Sequence, residues 1–199
     1  MTPGISPFIK VPANVMFPLT EFYEQAGLPI PVARQVDGAQ IPEPYRSLLV
    51  HQGDMTPTLE RAYGATIGLR VLQYDLSGDT VSRQVVLVAH DGKTPVAFGA
   101  IRIHLEQLPE EARRLVLAKQ QPLGTILRNE AVAHSSRPDV FLEIAADDVL
   151  RRALAIANAT LLYGRRNIMV DGAGRALAEV VEILAPANGK LRLEKNGAH

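Results

Sequence analysis

The chain contains no cysteine and no tryptophan. The absence of cysteine removes disulfides, thiolate nucleophiles and all cysteine-based metal sites. It says nothing about redox compartment. Charge of either sign is not in excess: 21 Lys and Arg balance 21 Asp and Glu. No global field therefore favours nucleic acid or an anionic membrane. No apolar run approaches the ~20 residues needed to cross a bilayer. The opening MTPGISPFIKVPANVMFP lacks a charged segment followed by an apolar core, so it does not read as a signal peptide, and the expected location is the cytoplasm. GxSxG, P-loop and GxGxxG elements are missing. The histidines at 51, 90, 104 and 134 show no metal-ligand spacing, and no metal is expected.

What remains is an ordinary globular composition. At 199 residues, 47% hydrophobic and 21% charged, the chain is long enough for one domain with a sizeable core. Residues 1–41 are rich in proline and are expected to wrap the domain surface, with one short helix near residues 20–26 and irregular backbone from 28 to 44. Two alternating runs, 66–77 and 80–91, are joined by Gly78-Asp79, and a third, 95–107, follows Asp91-Gly92. Their period of two marks an antiparallel meander with one face buried. Pro109-Glu110-Glu111 opens a helix to about Lys119, with acids in its first turn as the helix dipole favours. A short helical turn is expected at 125–129, a loop at 134–138, a strand at 140–144 and a helix capped by Asp147 or Asp148. Residues 161–170 and 175–184 flank Asp171-Gly172-Ala173-Gly174 as a final hairpin, and the tail from 188 to 199 is expected to be disordered. The fold class is α+β: a mostly antiparallel sheet with helices packed on one face.

One stretch organises this layout. Residues 48–60, LLVHQGDMTPTLE, end one amphipathic run and start another. Thr56 is the expected N-cap, with Pro57 at the first helical position and Gly64 as the stop. A helix start presents free backbone N–H groups that suit a carboxylate, although most such turns bind nothing.

Two charges stand in apolar columns. Arg83 shares its column with Val81, Val85, Leu87 and Ala89, and Glu182 shares its own with Ala176, Ala178, Val180 and Leu184. Both should point at the core, where an unpaired charge is costly. They could pair with each other, or one strand could be a wet edge. Alternatively they line a cavity with a cation at one end and a carboxyl at the other, suited to a small anion with a polar group opposite its carboxylate. On its strand, Arg165-Arg166 points its two side chains to opposite faces, and one could enter a site.

Taken together, LLVHQGDMTPTLERAYG, SRQVVLVAHDGKTPVAFGAIRI, QQPLGTIL and LYGRRNIMVDGAGRALAEVVEILAP resemble the chorismate pyruvate-lyases, in the branch with the D-M-T turn. The resemblance spans roughly residues 42–186 and implies a domain at 42–187 between the N-terminal segment 1–41 and the tail 188–199. It implies a lyase that removes pyruvate from chorismate and leaves 4-hydroxybenzoate, without metal or organic cofactor. It also implies the sites: Arg83 for the ring carboxylate, Glu182 facing the ring hydroxyl, and backbone near Met55 and Leu123 completing the pocket. Chorismate is then the expected small-molecule partner, with no nucleic acid and no membrane span. Two other readings share the fold. One is a non-catalytic sensor of small aromatic acids, for which residues 1–41 are too proline-rich to supply a helix-turn-helix. The other is a chorismate-cleaving enzyme with a different hydroxybenzoate product.

Overall fold

The computed structural model describes residues 11–89, 92–158 and 160–187. The strands are β1 (Ala33–Val36), β2 (Gly68–Ser77), β3 (Thr80–Val88), β4 (Pro95–His104), β5 (Ser135–Ala145), β6 (Leu161–Val170) and β7 (Ala176–Leu184). All pair antiparallel in one sheet, in the order β1-β5-β6-β7-β4-β3-β2. The helices are α1 (Leu19–Gln25), α2 (Tyr45–Leu49), α3 (Met55–Tyr63), α4 (Glu110–Ala118), α5 (Leu123–Asn129) and α6 (Asp148–Leu154). None of the helices among the described residues is long and apolar enough to cross a membrane.

The α+β class with an antiparallel sheet is as the sequence implies, but the helices lie on both faces rather than one. Leu19, Phe22 and Tyr23 of α1 and Leu150, Ala153 and Leu154 of α6 share a core with Val86, Phe98, Ala100, Val181 and Ile183. The alternate strand residues face the other way. There Val81, Ile101, Ile103 and Val180 meet Ala112 and Val116 of α4 and Ile126 and Leu127 of α5. Leu87, Ala97 and Leu184 meet Leu48 and Leu49 of α2 and Leu59 and Ala62 of α3. A strand whose both faces are buried shows little alternation in burial, and β3 is buried continuously from Arg83 to Val88.

Local chemistry explains most element ends. Gly64 ends α3 with φ +60°, and Asp147 caps α6 by accepting from the Leu150 N–H at 2.8 Å. In the last hairpin, Asp171 accepts from the N–H groups of Ala173 and Arg175, both at 2.9 Å. Three expectations fail. Residues 28–44 are not irregular throughout, because β1 adds an edge strand against β5. Residues 134–138 are not a loop: β5 starts at Ser135 and absorbs Pro138 at a register shift between Pro138 and Val140. α5 begins at Leu123 rather than Thr125. The hairpin residue Asp91 and the segments 1–10 and 188–199 lie outside the described residues.

The tightest approach in the sheet is at Gly164 of β6. A Cβ there would stand 2.6 Å from the backbone oxygen of Glu182 and 3.2 Å from Ile183 Cγ1. Backbone cannot yield to that, so Gly164→Ala should destabilise the protein by about 1–3 kcal/mol, read as a lower urea midpoint with an unchanged m-value.

Candidate functional site

The face of the sheet under α3 and α5 carries the site. Cross-strand register aligns Arg83, Ile101, Val180 and Asn167 in one row, and Val85, Gly99, Glu182 and Arg165 in the next on the same face. Above these rows the starts of α3 and α5 meet: a Cβ on Gly124 would stand 3.1 Å from Thr56 Oγ1. The space between holds a pocket that is partly open to solvent. Arg83, Glu182, Met55 and Leu123 all line it, so the four residues singled out from the sequence share one cavity. Gly99 opens the floor, where a side chain would press against Val85 Cγ2 at 3.2 Å.

Arg83 and Glu182 do not pair with each other. Glu182 Oε2 accepts from Arg165 Nε at 2.7 Å. Arg165 is fully buried, and its remaining nitrogens donate to the carbonyl oxygens of Leu49 and His51 (3.1 Å each) and Gly53 (3.0 Å). It thus ties Glu182 to the loop that precedes α3. Its neighbour Arg166 faces outward, bound to Asp139 and to the carbonyl of Asn14. His51 stiffens the same loop. Its Nε2 meets the Leu48 carbonyl at 2.8 Å and its Nδ1 accepts from the Gly53 N–H at 3.0 Å, the pattern of a neutral ring. Burial, then the Arg165 charge, lowers its pKa accordingly.

Arg83 is 1% exposed and has no carboxylate partner among the described residues. Among the described residues its one hydrogen bond is a long 3.5 Å contact from Nη2 to the Gln121 carbonyl, and Nε and Nη1 have no acceptor there. Burial pulls its pKa down to about 10, which leaves it charged at neutral pH. An unpaired buried guanidinium in an apolar pocket is chemically matched to an anion, since a carboxylate can meet its fork with two charge-assisted hydrogen bonds.

The start of α3 departs from expectation. The helix begins at Met55, Asp54 is the N-cap without a side-chain capping bond, and Thr56 and Pro57 lie inside the first turn. Asp54 is occupied elsewhere: His134 Nε2 bonds its Oδ2 at 2.7 Å and Ser136 Oγ its Oδ1 at 2.8 Å. The other His134 nitrogen faces the Val132 carbonyl at 2.7 Å, so both ring nitrogens meet acceptors, an arrangement that favours the imidazolium form. The bond to Asp54 raises its pKa against the effect of burial. For Asp54, burial acts upward, but the bonds from His134 and Ser136 and the charges of His134 and Arg165 outweigh it and lower the pKa. Asn167 completes the chain, donating from Nδ2 to Ser136 Oγ at 3.0 Å.

Of the Arg165-Arg166 pair, the residue that enters the site is Arg165; Asn167 and the Asp54–His134 pair are not singled out by the sequence reading. A signal existed for two of them: Arg165 and Asn167 alternate with Tyr163 and Met169, a column that pairs with the Glu182 column. No cluster of three potential metal ligands occurs among the described residues.

No family model and no curated protein matches the chain. Solved structures do. PhnF from Mycobacterium smegmatis aligns at a TM-score of 0.51 and 15% identity, over 69% of this chain and 65% of PhnF. Its effector domain alone aligns at 0.51 and 13%, over 67% of this chain and 89% of the domain. The fold resembles that of PhnF. A transcriptional regulator of the GntR family from Bacillus cereus aligns at 0.42 and 11%, over 60% of this chain and 92% of that one. At these identities the likeness to PhnF shows the fold alone.

Two outcomes follow. Arg165→Met should cost about 3–5 kcal/mol, because it leaves Glu182 without a counter-ion and three carbonyls without donors; thermal or urea unfolding reads it. The His134–Asp54 bridge gives a pH optimum. The raised His134 pKa makes its contribution whole below the ordinary value of 6.5 and lost as pH rises through the raised value. The lowered Asp54 pKa makes its contribution whole above 3.8 and lost as pH falls through the lowered value. Stability from this pair therefore peaks between those two ordinary values, and His134→Gln should flatten the decline on the alkaline side in unfolding measured against pH.

Proposed function

We propose that the protein binds a small cyclic or aromatic acid in this pocket, with Arg83 gripping the carboxylate. The observation that carries the reading is the burial of Arg83 in an apolar cavity without a counter-ion among the described residues. The finer proposal is that the acid is chorismate and that the protein cleaves it to 4-hydroxybenzoate and pyruvate. The support for cleavage is the ordered set of motifs around Met55, Arg83, Leu123 and Glu182 and the presence of those four residues on one pocket.

The chemistry asks for positioning more than for reactive groups. The ring C–O bond to the enolpyruvyl group breaks, a ring hydrogen leaves, and the departing enol takes up a proton to become pyruvate. The atoms of chorismate are those of the two products, and aromatisation drives the step. Arg83 fixes the ring carboxylate, while the walls of Val85, Leu87, Ile101 and Val180 exclude water and hold the ether side chain against the ring. Glu182, with one oxygen taken by Arg165, has the other to face the ring hydroxyl. That role is orientation. The backbone N–H of Met55, at the start of α3, supplements the polar rim.

A second reading, a non-catalytic sensor of the same class of acid, is favoured by the likeness to the effector domain of PhnF. Turnover separates the two. Chelator-treated protein incubated with chorismate should yield equimolar pyruvate and 4-hydroxybenzoate. Arg83→Ala should lower kcat/KM at least thirtyfold, the loss expected for a buried charge-assisted contact worth about 2–5 kcal/mol. Chorismate recovered unchanged from folded protein that still binds hydroxybenzoates would establish the sensor. Absence of binding by any such acid would overturn the carboxylate reading itself.

A further inference from the structure

The polar chain that begins at His134 ends inside the pocket, and its chemistry has only one direction. A carboxylate accepts and does not donate, so the Ser136 hydroxyl proton goes to Asp54. The Ser136 oxygen is then left to accept, and only the NH2 group of Asn167 can supply it. A turned amide would set two acceptors against each other. Asn167 Oδ1 is thereby directed away from Ser136. It is buried, it has no hydrogen-bond partner among the described residues, and Asn167 lines the pocket at 1% exposure.

An orphaned buried acceptor costs about 1–3 kcal/mol, and native proteins leave few of them. This one lies in the same cross-strand row as Arg83, three strand spacings away, or about 14 Å between Cα atoms. Between them are Ile101 and Val180. Asn167 is also the diagonal neighbour of Glu182 on the same face, since Asn167 pairs with Val180 and Arg165 with Glu182. The pocket therefore offers unsatisfied donors at Arg83, acceptors at Glu182 and Asn167, and an apolar floor in between. Its complement is a ring-sized acid with a hydrogen-bond donor remote from its carboxylate.

We propose that Asn167 is a specificity-determining residue of this pocket: its Oδ1 accepts a hydrogen bond from a ring hydroxyl of the ligand, and the His134–Asp54–Ser136 chain holds the amide in the orientation that allows it. The inference rests on the carboxylate reading of Arg83 but not on cleavage. It selects hydroxylated ring acids over acids of the same size that lack a donor.

The test is titration calorimetry of the intact chain with benzoate, 3-hydroxybenzoate, 4-hydroxybenzoate and 4-methoxybenzoate. In the unmodified protein the better of the two hydroxybenzoates should bind at least tenfold more tightly than the methoxy compound. Asn167→Ala, and the near-isosteric Asn167→Leu as a check on folding and packing, should reduce that preference at least fivefold and leave benzoate within about twofold. Ser136→Ala keeps Asn167 but frees its amide to turn, and should reduce the preference in the same direction. The proposal is overturned if the Asn167 variants weaken all four acids alike, which is loss of packing, or leave the preference intact. Arg83→Ala reads the underlying premise separately: loss of benzoate binding supports it, and retention overturns it whatever Asn167 does.

Discussion

The site depends on one buried guanidinium. Arg165 is completely withdrawn from water, and it is tolerable there because its donors reach four acceptors: the Glu182 carboxylate and the carbonyls of Leu49, His51 and Gly53. The arrangement does more than neutralise a charge. Three successive carbonyl contacts fix the loop between α2 and α3, and that loop delivers Asp54 and the start of α3 to the sheet. The same guanidinium sets the rotamer of Glu182. A cation on β6 thus controls both the roof of the pocket and the acidic group at its floor.

Against this background the loneliness of Arg83 has meaning. The two arginines are equally buried, 1% against 0% exposed, on the same face of the same sheet. One has a carboxylate and three carbonyls, whereas the other has, among the described residues, a single long contact to the Gln121 carbonyl. A buried ion pair is weak evidence of function because structure alone can require it, but a buried cation with no pair has no structural return. Small residues then make room beside it: Gly99 clears the floor between Val85 and Glu182, and Gly124 lets α5 close on Thr56.

The parts of this that were legible in the sequence were the ones governed by period. Alternation in β3 and β7 put Arg83 and Glu182 into apolar columns, and both columns face the pocket. Period alone could not say which charges meet. Glu182 finds Arg165 because β6 and β7 are a hairpin whose register places them opposite each other, and that register is a property of the turn at Asp171 rather than of either strand. The start of β5 was hidden by Pro138, which argues against a strand until the register shift beside it is seen. That omission concealed Ser136, and with it the route from His134 to Asn167. Thr56 looked like a cap by residue type; Asp54 took the position because its own side chain is held by His134 and Ser136 rather than by the helix. β1 was lost among prolines because a four-residue edge strand carries too little pattern to register.

Lyase and sensor place different demands on the same pocket, yet both begin from the same electrostatic problem. Arg83 is desolvated enough to lower its pKa to about 10, so its neighbours have stripped it of water without replacing what water gave. A ligand carboxylate would do for Arg83 what Glu182 does for Arg165, and in an equally apolar setting. On the proposed reading, specificity falls to the other end of the ring, where the free Glu182 oxygen and Asn167 Oδ1 are acceptors. An acid without a donor there leaves Asn167 Oδ1 buried and unmatched, and the penalty for an unmatched polar group discriminates more sharply than any gain from fit. On that reading the division of labour is set by hydrogen-bond polarity: the cation would secure any small carboxylate, and the acceptors would decide which one stays.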